Sequence, residues 1–428
     1  MRRIPVAGAV LALKGGAAVM QFLILVLTAR WFGVAFRGDI ALFNATVNLL
    51  VLVVGFTGSV SLSYVAARRA NRPYLHRLLA ASYAFAIVVP LVAVLGSALV
   101  GRPLDRLAPQ LLAVSVTQAL LLVHTCVLLS GRAVWQSIFL EFLRPFLIVA
   151  MASGVAATRG FHSNDEFYTV WVGASLLAFL LSVPLVVQHV RALPADDPQG
   201  PASMRQVVRQ LLQLGFVAQA SNLVQFLNYR SMFFALERHA GLVSVGLFST
   251  AVSLAEVLWI PANSLAALTL NRVARGGRDG ETRPFVLRMS RLAILVTIAV
   301  CLVAALVPSG WITALLGRDF AHVKLYMVSL LPGVIAMGWT VIASAYHAGH
   351  GLYARNLLAA LVGLALTAVG YFLLVPRFGE GGALVAMNAS YLATGLTLLL
   401  ALARRERVRP GELVPRVADL AWPRGAER

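Results

Sequence analysis

Residues 78–100 read LLAASYAFAIVVPLVAVLGSALV, more than twenty consecutive positions without a charged side chain. An α-helix needs roughly twenty apolar residues to cross a hydrocarbon core about 30 Å thick. Lipid offers backbone groups no hydrogen-bond partners, so such a run reads as a helix that satisfies its own N–H and C=O groups. The same pattern extends in both directions. Comparable stretches fall at 8–32, 40–66, 107–130, 134–157, 167–190, 211–236, 242–270, 286–308, 325–347, 353–375 and 382–403, giving about twelve spans. Hydrophobic residues make up 59% of the 428 and charged residues only 12%, with a mean hydropathy of +0.81. That composition excludes a water-soluble globule. The fold class is an all-α polytopic membrane protein.

Arginine placement sets the orientation. With the N-terminus inside, the cytoplasmic segments carry Arg2, Arg3, Arg68, Arg69, Arg72 and Arg77, and the run Arg272, Arg275, Arg278, Arg283, Arg288 and Arg291. A basic tail over 404–428 ends on the same side. The opposite loops hold fewer, among them Arg30, Arg102, Arg159, Arg238 and Arg318. Both termini are therefore expected in the cytoplasm. The net charge of +19 is then a topology signal rather than a nucleic-acid footprint, because it is spread over loops with no binding module. Met1-Arg2-Arg3 looks like the start of a signal peptide, yet the span behind it is too long and too studded with polar residues, so a retained first helix is expected. Cys126 and Cys301 lie in separate spans and suggest neither a disulfide framework nor a metal site.

The longest polar connection, 191–210, divides the spans six and six. The expected organisation is an N-terminal six-helix bundle over 1–190, a cytoplasmic linker over 191–210, a second bundle over 211–403 and the tail over 404–428. A shift of 208 positions lays Arg30-Trp31-Phe32-Gly33 on Arg238-His239-Ala240-Gly241, Gly38 on Gly246 and Asn48 on Glu256. Gly131-Arg132 before the fifth span echoes Gly349-His350-Gly351 before the eleventh. These matches favour duplicated six-helix bundles, an arrangement that transporters rock around a central site.

Several of these segments also resemble a known family. Leu227-Asn228-Tyr229-Arg230 and the following Leu236 to Ser249 resemble the turn from the seventh to the eighth helix of polysaccharide exporters. Val375-Pro376-Arg377-Phe378-Gly379-Glu380-Gly381-Gly382-Ala383 is similar to their "iPrfGi.GAA" turn, and Thr28 to Gly38 to their "aRllG....G". Leu316-Gly317-Arg318-Asp319-Phe320 is similar to their "lfG..y". Across nearly the whole chain, and in order, it resembles the Wzx-type flippases of the multidrug/oligosaccharidyl-lipid/polysaccharide (MOP) exporter superfamily, which share the MATE-like fold. The resemblance implies a bacterial inner-membrane protein that moves an undecaprenyl-diphosphate-linked oligosaccharide to the outer leaflet for polysaccharide biosynthesis. It implies polysaccharide polymerase and export proteins as partners beside the membrane lipid, and no cofactor.

Polar residues inside the spans identify a candidate path. Positions three, four or seven apart share a helix face. Lys14, Gln21 and Thr28 form a stripe in the first span, and Asn44, Asn48 and Ser59 form one in the second, with Gly55 among them. The seventh span offers Gln219, Asn222, Gln225 and Tyr229 with Arg230, and the eighth Ser249, Ser253, Glu256 and Asn263. Any one of these residues is simply explained as interhelical glue, worth roughly 0.6 kcal/mol. Four stripes in equivalent helices favour a cavity. The expected cavity residues are Lys14, Gln21, Asn44, Asn48, Asn222, Gln225, Tyr229 and Arg230, with no metal and no catalytic residue.

A charge at the bilayer centre costs roughly 2.5–3.5 kcal/mol on insertion scales. Glu141 and Arg144, three apart on one helix, are expected to pair. Lys14 and Arg230 either snorkel to headgroups or hold the diphosphate. Glu256 is expected to counter Arg230 or to bind a coupling H+ or Na+. Arg30 and Arg238, each three residues before a glycine, are the expected outer gate. No HExxH, P-loop or GxSxG pattern stands in a credible context, which argues against an enzyme. The alternatives are a MATE-type antiporter of organic cations, which would be expected to present cavity carboxylates, and a non-transporting scaffold of sugar-polymer synthesis.

Overall fold

The computed structural model describes residues 6–58, 60–67, 73–100, 107–130, 133–192, 203–274 and 282–415. Residues 193–202 of the expected linker, Gly131-Arg132, Ser59, and the basic residues Arg2, Arg3, Arg68, Arg69, Arg72, Arg275 and Arg278 lie outside this set. The helices are α1 (Val6–Gly58), α2 (Val60–Ala67), α3 (Leu75–Val100), α4 (Ala108–Ser130), α5 (Val134–Thr158), α6 (Asn164–Arg191) and α7 (Met204–Val257). They continue with α8 (Ile260–Ala274), α9 (Thr282–Leu306), α10 (Ser309–Leu316), α11 (Val323–Gly349), α12 (Tyr353–Val369) and α13 (Val375–Glu406). No strand occurs among the described residues.

Nine of these helical stretches are long and apolar enough to cross a membrane. Three are long enough for two passes: Ala12–Thr57, Gln219–Val257 and Tyr353–Glu406. Each is interrupted by a glycine with non-helical backbone, at Gly33, Gly241 and Gly379. Counted arm by arm, the described residues supply the twelve spans expected from hydropathy. The chain is a multi-pass membrane protein.

The first two breaks share one conformation. Gly33 has φ 79° and ψ −173°, and Gly241 has φ 84° and ψ 175°. A side chain disfavours this positive-φ region, so glycine is what lets each helix turn into its second arm. The two residues are 208 apart, the spacing of the internal repeat.

The chain divides into two packing units, one of Met1–Phe32 with Phe43–Gln219 and the other of Gly33–Leu42 with Ala220–Arg428. In the first, α4 is the central helix and packs against α2, α3, α5 and α6. Leu121, Val123, Val127 and Leu128 of α4 meet Leu140 and Leu143 of α5, Ala178 and Val186 of α6, and Leu62 and Val65 of α2. In the second unit α11 has that role, packing against α8, α9, α12 and α13. Its Ile342, Ala343 and Tyr346 meet Val286, Met289 and Ala293 of α9 and Leu398 and Leu402 of α13. Lipid is as apolar as leucine, so the association of these helices rests on close packing and interhelical hydrogen bonds.

The second unit also holds a helix crossing built on small residues. A Cβ placed on Gly38 would lie 2.1 Å from the Leu242 carbonyl oxygen, and one on Gly246 would lie 2.0 Å from that of Val34. The contact is reciprocal, because Val34 and Leu242 are also 208 apart, as are Gly38 and Gly246. The repeat read from sequence is thus present as a local two-fold crossing of two backbones.

Candidate substrate site

A polar centre that includes an arginine lies within the helices of each unit. In the second unit the centre is an ion pair between the first and second arms of α7. Arg230 Nη1 donates to Glu256 Oε1 at 2.8 Å and Nη2 to Oε2 at 2.9 Å, a bidentate fork. Aromatic rings enclose it. The Arg230 guanidinium lies 5.3 Å from the Phe233 ring centre. Tyr229, Trp259 and Tyr391 pack on one another with centroids 5.4–5.9 Å apart. Gln225 hydrogen-bonds the Tyr229 side chain, and the buried Asn228 donates to the Ala360 carbonyl at 2.9 Å. The expected alternative for Arg230, snorkelling to the headgroups, is not what the geometry shows: its guanidinium is turned onto Glu256.

In the first unit the centre is a cavity of about 340 Å³ lined by Ala17, Gln21, Val51, Gln118, Leu121, Leu122, Thr125, Leu140, Glu141 and Arg144. Gln118, on α4, organises it. Its Nε2 donates to Asn48 Oδ1 at 3.0 Å, while its Oε1 accepts from Arg144 Nη1. The expected pairing of Glu141 with Arg144 is therefore corrected. Spacing along α5 permits that pair, but packing brings the neutral amide of Gln118 to Arg144.

The other sequence-derived residues separate into groups. Gln21 lines the cavity, whereas Thr28, which shares its stripe, is fully buried and bonds back to the Ile24 carbonyl at 2.6 Å. Asn44 is half-buried one turn before Asn48, and Asn222 is exposed on α7. Gln219 holds the Leu52 carbonyl at 3.0 Å across Gly55, an interhelical contact. Ser249 and Ser253 bond within their own helix. Arg30 and Arg238 are exposed, each three residues before its glycine bend. His124 is buried 2.5 Å from Ser182 Oγ and stacked on Phe179. Gln118, Trp259 and Tyr391 were not singled out from sequence. Gln118 had a legible signal as a polar residue midway along an apolar span, but Tyr391 looks like any lipid-span tyrosine. No group of three or more metal-ligating side chains occurs among the described residues.

No protein-family model matches the chain, and no curated protein matches it at a significant level. Solved structures do. An inward-facing multidrug resistance MATE family transporter of the MOP superfamily superposes with a TM-score of 0.71 at 13% identity, over 91% of this chain and 94% of that one. The chain has the MATE/MOP transporter fold. An outward-facing MATE family transporter superposes at 0.67 with 15% identity, over 93% of this chain and 95% of that one. A MOP superfamily transporter from Pyrococcus furiosus, described as having a binding pocket of reversed polarity that suggests a different function, gives 0.66 at 15% identity over the same shares. The MATE-like fold expected from the sequence is the fold observed.

Proposed function

We propose that this chain is a flippase that carries a polyprenyl-diphosphate-linked oligosaccharide across a bacterial inner membrane by alternating access, with both termini in the cytoplasm. The observation that carries the proposal is the pairing of Glu256 with Arg230 within the spans. An exporter of organic cations would be expected to offer its cargo a carboxylate, and here Arg230 already holds both oxygens of Glu256. Arg144 adds a further cation, met by a neutral amide. An isolated ion in a low-dielectric medium costs tens of kcal/mol, so a diphosphate needs a hydrated, cation-lined route. Its polyprenyl tail would stay in lipid.

In this reading Arg30 and Arg238 form the outer gate, Glu256 is the group through which H+ or Na+ is coupled, and polymerase and export proteins receive the product. The second reading, a MATE-type antiporter, is favoured by the fold neighbours described as multidrug transporters. Disrupting the gene in its own bacterium distinguishes the two. The flippase reading expects loss of surface polysaccharide, with lipid-linked sugar accumulating in the inner leaflet. Normal polysaccharide with heightened sensitivity to cationic drugs would favour the antiporter.

A further inference from the structure

The repeat places Asn48 where Glu256 stands in the second half, but neither Arg144 nor Arg230 has an arginine at its matching position, so the two centres are built from different side chains. At Glu256 a carboxylate neutralises Arg230, leaving that centre without net charge. At Asn48 the matching side chain is neutral. It accepts from Gln118, and the Gln118 oxygen in turn accepts from Arg144. That chain of bonds orients Arg144 without cancelling its charge. Glu141 lines the same cavity three residues before Arg144, but the Arg144 hydrogen bond goes to the neutral amide of Gln118.

A guanidinium has five N–H donors in a planar fork, and Gln118 Oε1 takes one. The cavity volume falls within the roughly 300–1,000 Å³ usual for small-ligand sites. Gln21 and Thr125 line it as well, adding polar groups of the kind that complete the coordination of oxyanions.

We infer that the first unit's cavity is an anion site in which Arg144, held by Gln118 and Asn48, binds a phosphate or diphosphate group, whereas the Arg230–Glu256 centre is closed to anions until the fork opens. The inference rests on the flippase reading only for its natural ligand. It also moves the primary phosphate contact from Lys14 and Arg230, the sequence-based expectation, to Arg144.

The test is titration of inorganic pyrophosphate into the purified full-length protein in nanodiscs, for variants that elute and unfold like the parent. Arg144→Gln should lower affinity at least tenfold, and Arg144→Lys by less, since charge survives without the fork. Asn48→Glu, which puts a carboxylate against Gln118 beside Arg144, should also lower it. Glu256→Gln should create a second binding event by releasing Arg230. Binding unchanged in Arg144→Gln, or abolished by Arg230→Gln while Arg144→Gln binds normally, would overturn the assignment. The two readings fail separately. Pyrophosphate binding that depends on Arg144 without flipping of lipid-linked sugar removes the flippase reading alone, and flipping that survives Arg144→Gln removes the site alone.

Discussion

Arg230 and Glu256 meet through two parallel hydrogen bonds, with about a quarter of each side chain exposed, at 24% and 22%. Each is the other's counter-charge in a region where an unpaired charge is costly. Arg230→Ala should therefore destabilise the protein by about 3–5 kcal/mol, the usual cost of leaving one member of a buried pair behind. Arg230→Met combined with Glu256→Leu should cost far less, because both charges leave together. Thermal unfolding of Arg230→Met, Glu256→Leu and their double variant forms the necessary cycle, and additive losses would show that the pair is not coupled. Sequence made the intramembrane charges legible but not every partner. Arg230 and Glu256 lie in matching polar stripes, and a pairing between them was foreseeable. Arg144 was assigned to Glu141 because local spacing is all a sequence displays, whereas Gln118 comes from another helix.

At the scale of helices, glycine spacing was the most informative signal. Gly33 and Gly241 adopt one backbone conformation, and Gly38 and Gly246 meet the opposing backbone reciprocally. Gly38→Ala and Gly246→Ala should each cost about 1–3 kcal/mol by overpacking this crossing. Their combination should cost less than the sum, since the first substitution already separates the helices. Thermal stability in detergent measures this, and strictly additive effects would mean two independent sites. The hydropathy pattern located the spans but not α10, which occupies part of what reads as the loop 309–324.

The C-terminal segment after α13 likewise escaped the sequence, because its anchor is distant. Arg283 donates through Nε to the Glu406 carbonyl at 3.0 Å and through Nη2 to both Glu412 carboxylate oxygens at 2.9 Å. The Arg409 backbone N–H, followed by the Arg283 guanidinium, holds the Glu412 carboxyl below the usual carboxylate range. A depressed folded-state pKa makes this contribution complete above the ordinary carboxylate range, and it is lost as pH falls through the depressed value. Acid should thus release the segment, seen as faster proteolysis after residue 406 at low pH. Glu412→Gln should show that faster cleavage already at neutral pH, and equal cleavage rates for parent and variant at neutral pH would show that the ion pair does not hold the strap.

For the whole molecule, the helical membrane fold was legible in the sequence, because hydrophobic length and a 208-residue repeat both act over long stretches of chain. The site was less legible, because its character depends on which side chains cancel one another's charge across helices. Asn48 and Glu256 occupy matching positions, yet only packing shows that Glu256 forks Arg230 whereas Asn48 bonds Gln118, the amide that meets Arg144. The central claim is that an anionic headgroup passes through this protein. Reconstitution into proteoliposomes with a fluorescent polyprenyl-diphosphate sugar, scored by a membrane-impermeant quencher, tests it most directly. The account expects protein-dependent movement of the labelled headgroup between leaflets, sharply reduced in Arg144→Gln, and no transport of organic cations. Cation efflux driven by an ion gradient, with the lipid-linked sugar static, would contradict it.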